Sequence, residues 1–208
     1  MTRRDASQST SRPADGAGPM RRYDPVAITL HWVMALGILT LIGIGLVMVH
    51  LTLGPSRVFA LYQLHKSIGI TILIAACLRL MWRFVRPPPP LPPDMAPGER
   101  RLAGLAHLAL YAEMIGLPLT GWAVVSSSVF AIPTVLFGVI PWPDLPWLSS
   151  LPDKKPVEAV FSAIHAYGAY LLIALIVLHG FAALRHHFVL HDEVLARMLP
   201  NFLRRSRR

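Results

Sequence analysis

The stretch FSAIHAYGAYLLIALIVLHGFA, residues 161–182, decides how this chain is read. It is apolar over a length that crosses a bilayer, for which a helix needs about 20 residues, yet it carries His165 and His179. Ionisable side chains in hydrocarbon are costly, so each marks a functional candidate. In a helix, fourteen residues rise about 21 Å and fall about 40° short of four full turns. The two imidazoles therefore point to nearly the same side, at two depths of one bundle.

Three further segments meet the same length and apolarity test, which places spans at about 26–49, 61–82, 103–125 and 160–184. The third also contains Glu113 and Pro118. With 54% hydrophobic residues and a mean hydropathy of +0.51, the chain reads as an integral membrane protein, not a soluble domain. The fold class expected is an all-α membrane protein, a four-transmembrane-helix bundle.

The formal charge of +9 is distributed in a way that excludes nucleic acid as the partner and points to membrane lipid. Arginines cluster before the first span (Arg3, Arg4, Arg12, Arg21, Arg22), between the second and third (Arg79, Arg83, Arg86, Arg100, Arg101), and after Val177. The other connections hold Arg57, Lys66, Lys154 and Lys155. This asymmetry is the positive-inside pattern, so both termini are expected in the cytoplasm of a bacterial inner-membrane, multi-pass protein. The first apolar run is too long for a cleaved signal and lacks a small-residue cleavage site, so it reads as a retained helix. Residues 1–20 read as a disordered cytoplasmic tail, 21–203 as the bundle domain and 204–208 as a basic tail.

Between the second and third spans, RPPPPLPPDMAPGERR (86–101) reads as a stiff polyproline connector. The outer loop, 126–158, mixes Phe130, Phe137, Trp142 and Trp147 with prolines, and is expected to lie on the outer face as a cap containing a short helix. Arg79, Arg83 and Arg86 share one helix face by their i, i+4, i+7 spacing. Snorkelling to lipid phosphates explains them; for the deepest, Arg79, pairing with buried carboxylates of a cofactor is the alternative.

Topology turns sequence position into depth. His65 and His165 fall near the outer side, His31 and His179 near the inner side. One turn on from each, at i+4, stand the small residues Ala35, Gly69, Ala169 and Ala183, as a flat group held between helices requires. Three chemistries suit such residues: hydrogen bonds between helices, a proton relay with Glu113, and bis-histidine haem ligation at each level. Zinc takes four ligands where each level offers two, and the Glu-x-x-His pairs of a di-iron bundle are absent. The lone Cys77 and the lack of C-x-x-C-H exclude thioether-linked haem. His107, also at the inner level, reads as a packing or hydrogen-bonding residue. His50 is expected at the outer interface, with His186, His187 and His191 solvated at the inner one.

The blocks RYDPVAITLHWVMA (22–35), LYQLHKSIGITILI (61–74) with LRLMWR (78–83), LAHLALYAEMIGLPLTGW (105–122), FSAIHAYGAYLLIALIVLHGFAALRHHF (161–188) and VLARMLP (194–200) resemble the bacterial cytochrome b561 family. The resemblance implies a four-helix bundle with two non-covalent haem b groups, one held by His31 and His179, the other by His65 and His165. It also implies one-electron transfer between a donor and the quinone pool, with superoxide as an outer-face donor and ubiquinone as acceptor. The alternative it implies is a haem-bearing membrane anchor for a partner redox subunit of a hydrogenase- or dehydrogenase-type complex. The chain departs from the family in its longer N-terminal tail, its aromatic outer loop and Glu113.

Overall fold

Proline opens each long helix. A ring with fixed φ and no N–H suits the first turn, where the amide has no intrahelical partner. In the computed structural model, which describes residues 22–91 and 95–200, helix α1 spans Pro25–His50 and α2 spans Pro55–Val85. Helix α3 spans Pro97–Ser126, and α5 spans Lys155–Phe188 with Pro156 in its first turn. Asp24 caps α1 by accepting a hydrogen bond from the Val26 amide at 2.8 Å. The expected tails at 1–20 and 204–208 lie outside the described residues.

All four helices are long and apolar enough to cross a membrane. They also run past the expected spans. α2 begins six residues before position 61, and α5 continues four beyond 184. Hydropathy detects only the part in hydrocarbon, whereas backbone hydrogen bonding carries a helix on into the interface. At about 1.5 Å per residue, the 34 residues of α5 reach about 51 Å, well beyond a hydrocarbon core of about 30 Å.

The 126–158 loop, expected as a cap containing a short helix, adds a small β element to the otherwise helical fold. It folds as a hairpin, β1 (Thr134–Leu136) against β2 (Ile140–Trp142), followed by the one-turn helix α4 (Pro146–Ser149). The strands pair antiparallel, Thr134 opposite Trp142 and Leu136 opposite Ile140. The three-residue turn needs positive φ at Phe137 (51°) and Gly138 (74°), the second supplied without strain by glycine. Pro141 is tolerated in β2 because a two-stranded sheet has a free edge. The hairpin is fastened to the bundle. Ser67 Oγ accepts from the Phe137 amide at 2.9 Å, and Gln63 Nε2 donates to the Pro133 carbonyl at 2.9 Å. Trp122 Nε1 donates to the Pro143 carbonyl at 2.9 Å, and Ser126 Oγ accepts from the Leu145 amide at 2.9 Å.

Within the bundle, α1 packs on α2, α2 on α3 and α3 on α5. Helix α5 approaches neither α1 nor α2 as closely. The apolar core, Met34, Ile38, Ile72, Ala76 and Leu172, sits midway along the helices. Close approach of α1 to α2 there depends on Gly37, where an added Cβ would lie 2.7 Å from Ile72 Cδ1. Val33, Leu36, Leu39, Leu178 and Phe181 are exposed, an apolar outer surface suited to lipid.

At the end opposite the hairpin, the C-terminal segment folds back across the bundle. Trp32 Nε1 donates to the Met198 carbonyl at 2.9 Å, Arg22 Nη2 to the Leu199 carbonyl at 2.8 Å, and Arg197 Nη1 to the Pro90 carbonyl at 2.8 Å. The N- and C-terminal segments therefore share one end.

Candidate functional site

Two imidazole pairs bridge the bundle where its backbones stand apart. At the hairpin end, His65 of α2 faces His165 of α5 with ring centroids 6.2 Å apart. At the other end, His31 of α1 faces His179 of α5 at 6.3 Å. These are the pairs expected from depth, and each spans one of the gaps between α5 and its looser neighbours. The apolar core lies between the two levels.

The spacing has a chemical reading. Two metal–imidazole bonds of about 2.0–2.1 Å, each with a ring-centre-to-nitrogen reach of about 1.2 Å, put collinear axial rings about 6.4 Å apart. Both pairs fall within a few tenths of an ångström of that. Direct hydrogen bonding between the rings would bring them about an ångström closer.

His165 is held in one tautomer. Its Nδ1 lies 3.1 Å from the Leu117 carbonyl and 3.1 Å from Thr120 Oγ1, while that hydroxyl itself donates to Leu117 at 2.7 Å. A carbonyl only accepts, so Nδ1 carries the proton and Nε2 keeps a free lone pair. Pro118 lies inside α3, one residue after Leu117, and has no amide to donate to the Met114 carbonyl one turn earlier. By contrast, Nδ1 of both His31 and His65 is buried with no hydrogen-bond partner among the described residues.

Room beside the rings comes from glycine. A Cβ at Gly121 would lie 3.0 Å from His165 Cε1, and one at Gly45 would lie 3.7 Å from His65 Cε1. A cavity of about 420 Å³ opens here, bordered by His65, His165, Gly69, Ala169 and Lys66, with Trp142 at the hairpin. That volume lies within the range of cofactor sites. The donor set, the ring spacing and the glycine-lined room all fit a flat macrocycle with two axial imidazoles. Gly69 and Ala169 border the cavity as expected, and Ala35 and Ala183 are half-buried in the opposite half of the bundle. Glu113 also borders the cavity, with Oε2 3.5 Å from where a Gly168 Cβ would stand.

Arg79 is hydrogen-bonded within the bundle. Its Nε donates to Tyr111 Oη at 3.2 Å and its Nη1 to the Ala27 carbonyl at 3.4 Å, which turns it inward among α1, α2 and α3. Arg83 lies over the Tyr111 ring, 5.6 Å from its centroid. His107 is brought to the level of His31 and His179, 5.7 Å from His179. His50 ends α1 and is exposed. His186 departs from the solvated reading: it is partly buried and bonded through Nδ1 to Asp192.

Sequence reasoning passed over Leu117, Thr120 and Gly121. The available signal was Pro-Leu-Thr-Gly inside a span, where a broken backbone bond, a hydroxyl and a missing side chain occur within four residues.

A family model described as prokaryotic cytochrome b561 matches residues 22–201. The chain is similar to cytochrome b561 homolog 2 of Escherichia coli (strain K12), 34% identical across 86% of this chain and 91% of that protein. It is also similar to cytochrome b561 homolog 1 of the same strain, 26% identical across 87% of this chain and 98% of the other. A protein of Yersinia pestis named probable superoxide oxidase CybB is 31% identical across 86% of this chain and 97% of its own length.

Proposed function

The chain belongs to the prokaryotic cytochrome b561 family, membrane b-type cytochromes of electron transfer, and we propose that it holds two haem b groups and passes single electrons from superoxide to ubiquinone. His65 and His165 hold the group at the hairpin end, and His31 and His179 hold the other. The observation that carries this reading is the repeated ring spacing, 6.2 and 6.3 Å, between helices whose backbones stand apart. Haem iron between neutral imidazoles supplies reversible one-electron chemistry.

The chain's own residues do the rest. Nδ1–H of His165, anchored on Leu117, presents Nε2 as a ligand at fixed orientation. The apolar core between the levels keeps water from the interval, about 21 Å along the helix axis. Arg79, turned inward by its bonds to Tyr111 and the Ala27 carbonyl, offers a guanidinium to a haem carboxylate at the inner level. The arginine asymmetry supports an inner-membrane orientation with both termini cytoplasmic, which sets the hairpin outward.

Superoxide is a small anion, and Lys66 stands where it would arrive. Its ammonium borders the cavity and donates to the Pro133 carbonyl at 3.2 Å, beside the ligand His65. With Arg57, Lys154 and Lys155 on the same end, it favours approach of an anion. The balance closes with two superoxide anions releasing two electrons and two dioxygen molecules, while one ubiquinone takes both electrons and two protons. The similarity to the Yersinia pestis protein supports superoxide as the donor.

The test uses purified protein, a water-soluble ubiquinone analogue and an enzymatic superoxide source. Quinol formation with no second polypeptide is expected. Inertness of fully haem-loaded protein, with activity restored only by a co-purifying subunit, refutes the self-contained reading.

A further inference from the structure

The inner level contains a third imidazole that the ligand pairs do not use. His107 of α3 meets His179 edge-on, with centroids 5.7 Å apart and planes at 71°. A neutral imidazole carries one N–H donor and one acceptor nitrogen, so this ring can accept a hydrogen bond.

His107 has two possible uses, an axial ligand competing with His31 or an acceptor behind His179. Among the described residues no three of His, Cys, Asp and Glu converge as a metal site, so a three-nitrogen centre is not the answer. Distance separates the remaining two. Rings on opposite sides of a metal lie about 6.4 Å apart. Rings joined by an N–H···N bond of about 2.9–3.0 Å lie about 5.3 Å apart. The observed 5.7 Å is nearer the second.

The hairpin end repeats the pattern. There, too, α3 supplies no ring to the facing pair, and its Leu117 carbonyl accepts from the second nitrogen of the α5 histidine. Helix α3 is the one packed closely along α5, so it is the element able to reach behind both α5 imidazoles.

We propose that His107 is a positioning residue that accepts a hydrogen bond from the non-ligating nitrogen of His179, fixing that ring and raising its donor strength toward the inner haem. This inference rests on the reading that His31 and His179 hold that haem. An imidazole nitrogen is a stronger base than a peptide carbonyl. α3 thus makes the inner axial ligand the more electron-rich of the two on α5, which favours the ferric state there and separates the two potentials.

His107→Phe keeps an aromatic ring and removes the acceptor; His107→Gln restores an acceptor. Haem is counted by pyridine haemochrome and both potentials are read by spectroelectrochemical titration. With haem supplied in excess, both groups are expected to remain in His107→Phe. The inner ferric preference is expected to fall about tenfold, an upward shift of about 59 mV for a one-electron couple, with the outer potential unmoved. His107→Gln recovers most of the shift. Should the phenylalanine variant not accumulate, His107→Leu carries the same expectation.

Unchanged inner potential in His107→Phe overturns the proposal. So does loss of one haem in that variant while His31→Ala keeps two six-coordinate haems, since His107 would then be the ligand. Wild-type protein holding fewer than two haems removes the underlying reading instead, a result visible before any variant is made.

Discussion

A single methyl group placed beside His165 tests the hairpin-end site more sharply than deleting the ligand. In Gly121→Ala the new Cβ would lie 3.0 Å from His165 Cε1 and 3.3 Å from Nδ1, where ordinary contact begins at 3.4 Å. The ring must retreat by 3.4 − 3.0, about 0.4 Å. Its bonds to Leu117 and Thr120, both 3.1 Å, then stretch to about 3.5 Å, the limit of a hydrogen bond. Losing one such bond costs about 0.5–1.5 kcal/mol, which corresponds to about 2- to 13-fold weaker retention of the haem proposed at this ring. The assay is transfer of haem to excess apomyoglobin, followed at the Soret band, in which the two proposed haems are expected to leave as separate phases. One phase is expected to accelerate by that factor and the other to keep its wild-type rate. Gly116→Ala, on the same helix, adds a Cβ that meets nothing within 4 Å and serves as control. Wild-type transfer kinetics in Gly121→Ala would refute the claim that the glycine makes room for a haem-holding imidazole.

Two further expectations follow from the same geometry. His165→Ala is expected to halve the haem content measured by pyridine haemochrome, because one of the two proposed bis-histidine sites is lost; full content rejects His165 as a ligand. Ser67 is 1% exposed and holds the hairpin by accepting from the Phe137 amide while donating to the Gln63 carbonyl at 2.7 Å. Ser67→Ala leaves that amide without its partner, at a cost of about 1–3 kcal/mol if it stays buried, so hydrogen exchange in residues 134–142 should rise by one to two orders of magnitude while the helices keep their protection.

How much of this was legible beforehand depends on the range over which each feature is determined. Hydropathy placed four spans within a few residues of the helix cores, but missed α2 from Pro55 to Ala60 because that turn and a half is polar enough to lie outside hydrocarbon. The hairpin was hidden for a different reason. Prolines at 133, 141 and 143 argue against strands, and the pairing survives because the free edges ask nothing of Pro141. For Arg79 the spacing offered a lipid anchor or a partner for cofactor carboxylates, and nothing local reveals that Tyr111, on another helix, meets its guanidinium.

The sequence alone determined that His165 and His179 share one face of one helix at two depths, because 3.6 residues per turn is a property of the backbone and needs no partner. It also determined the four apolar spans and the end of the bundle at which arginines gather, both consequences of local composition. Only the tertiary structure decided which rings meet across the bundle, that α5 stands off from α1 and α2 while lying along α3, and that Leu117 and His107 reach the α5 imidazoles. Those facts depend on how each helix is rotated and how far apart the axes sit. Rotation and separation follow from side chains such as Gly37 against Ile72 and Gly121 against His165, contacts between residues 35 and 44 positions apart that no local pattern encodes.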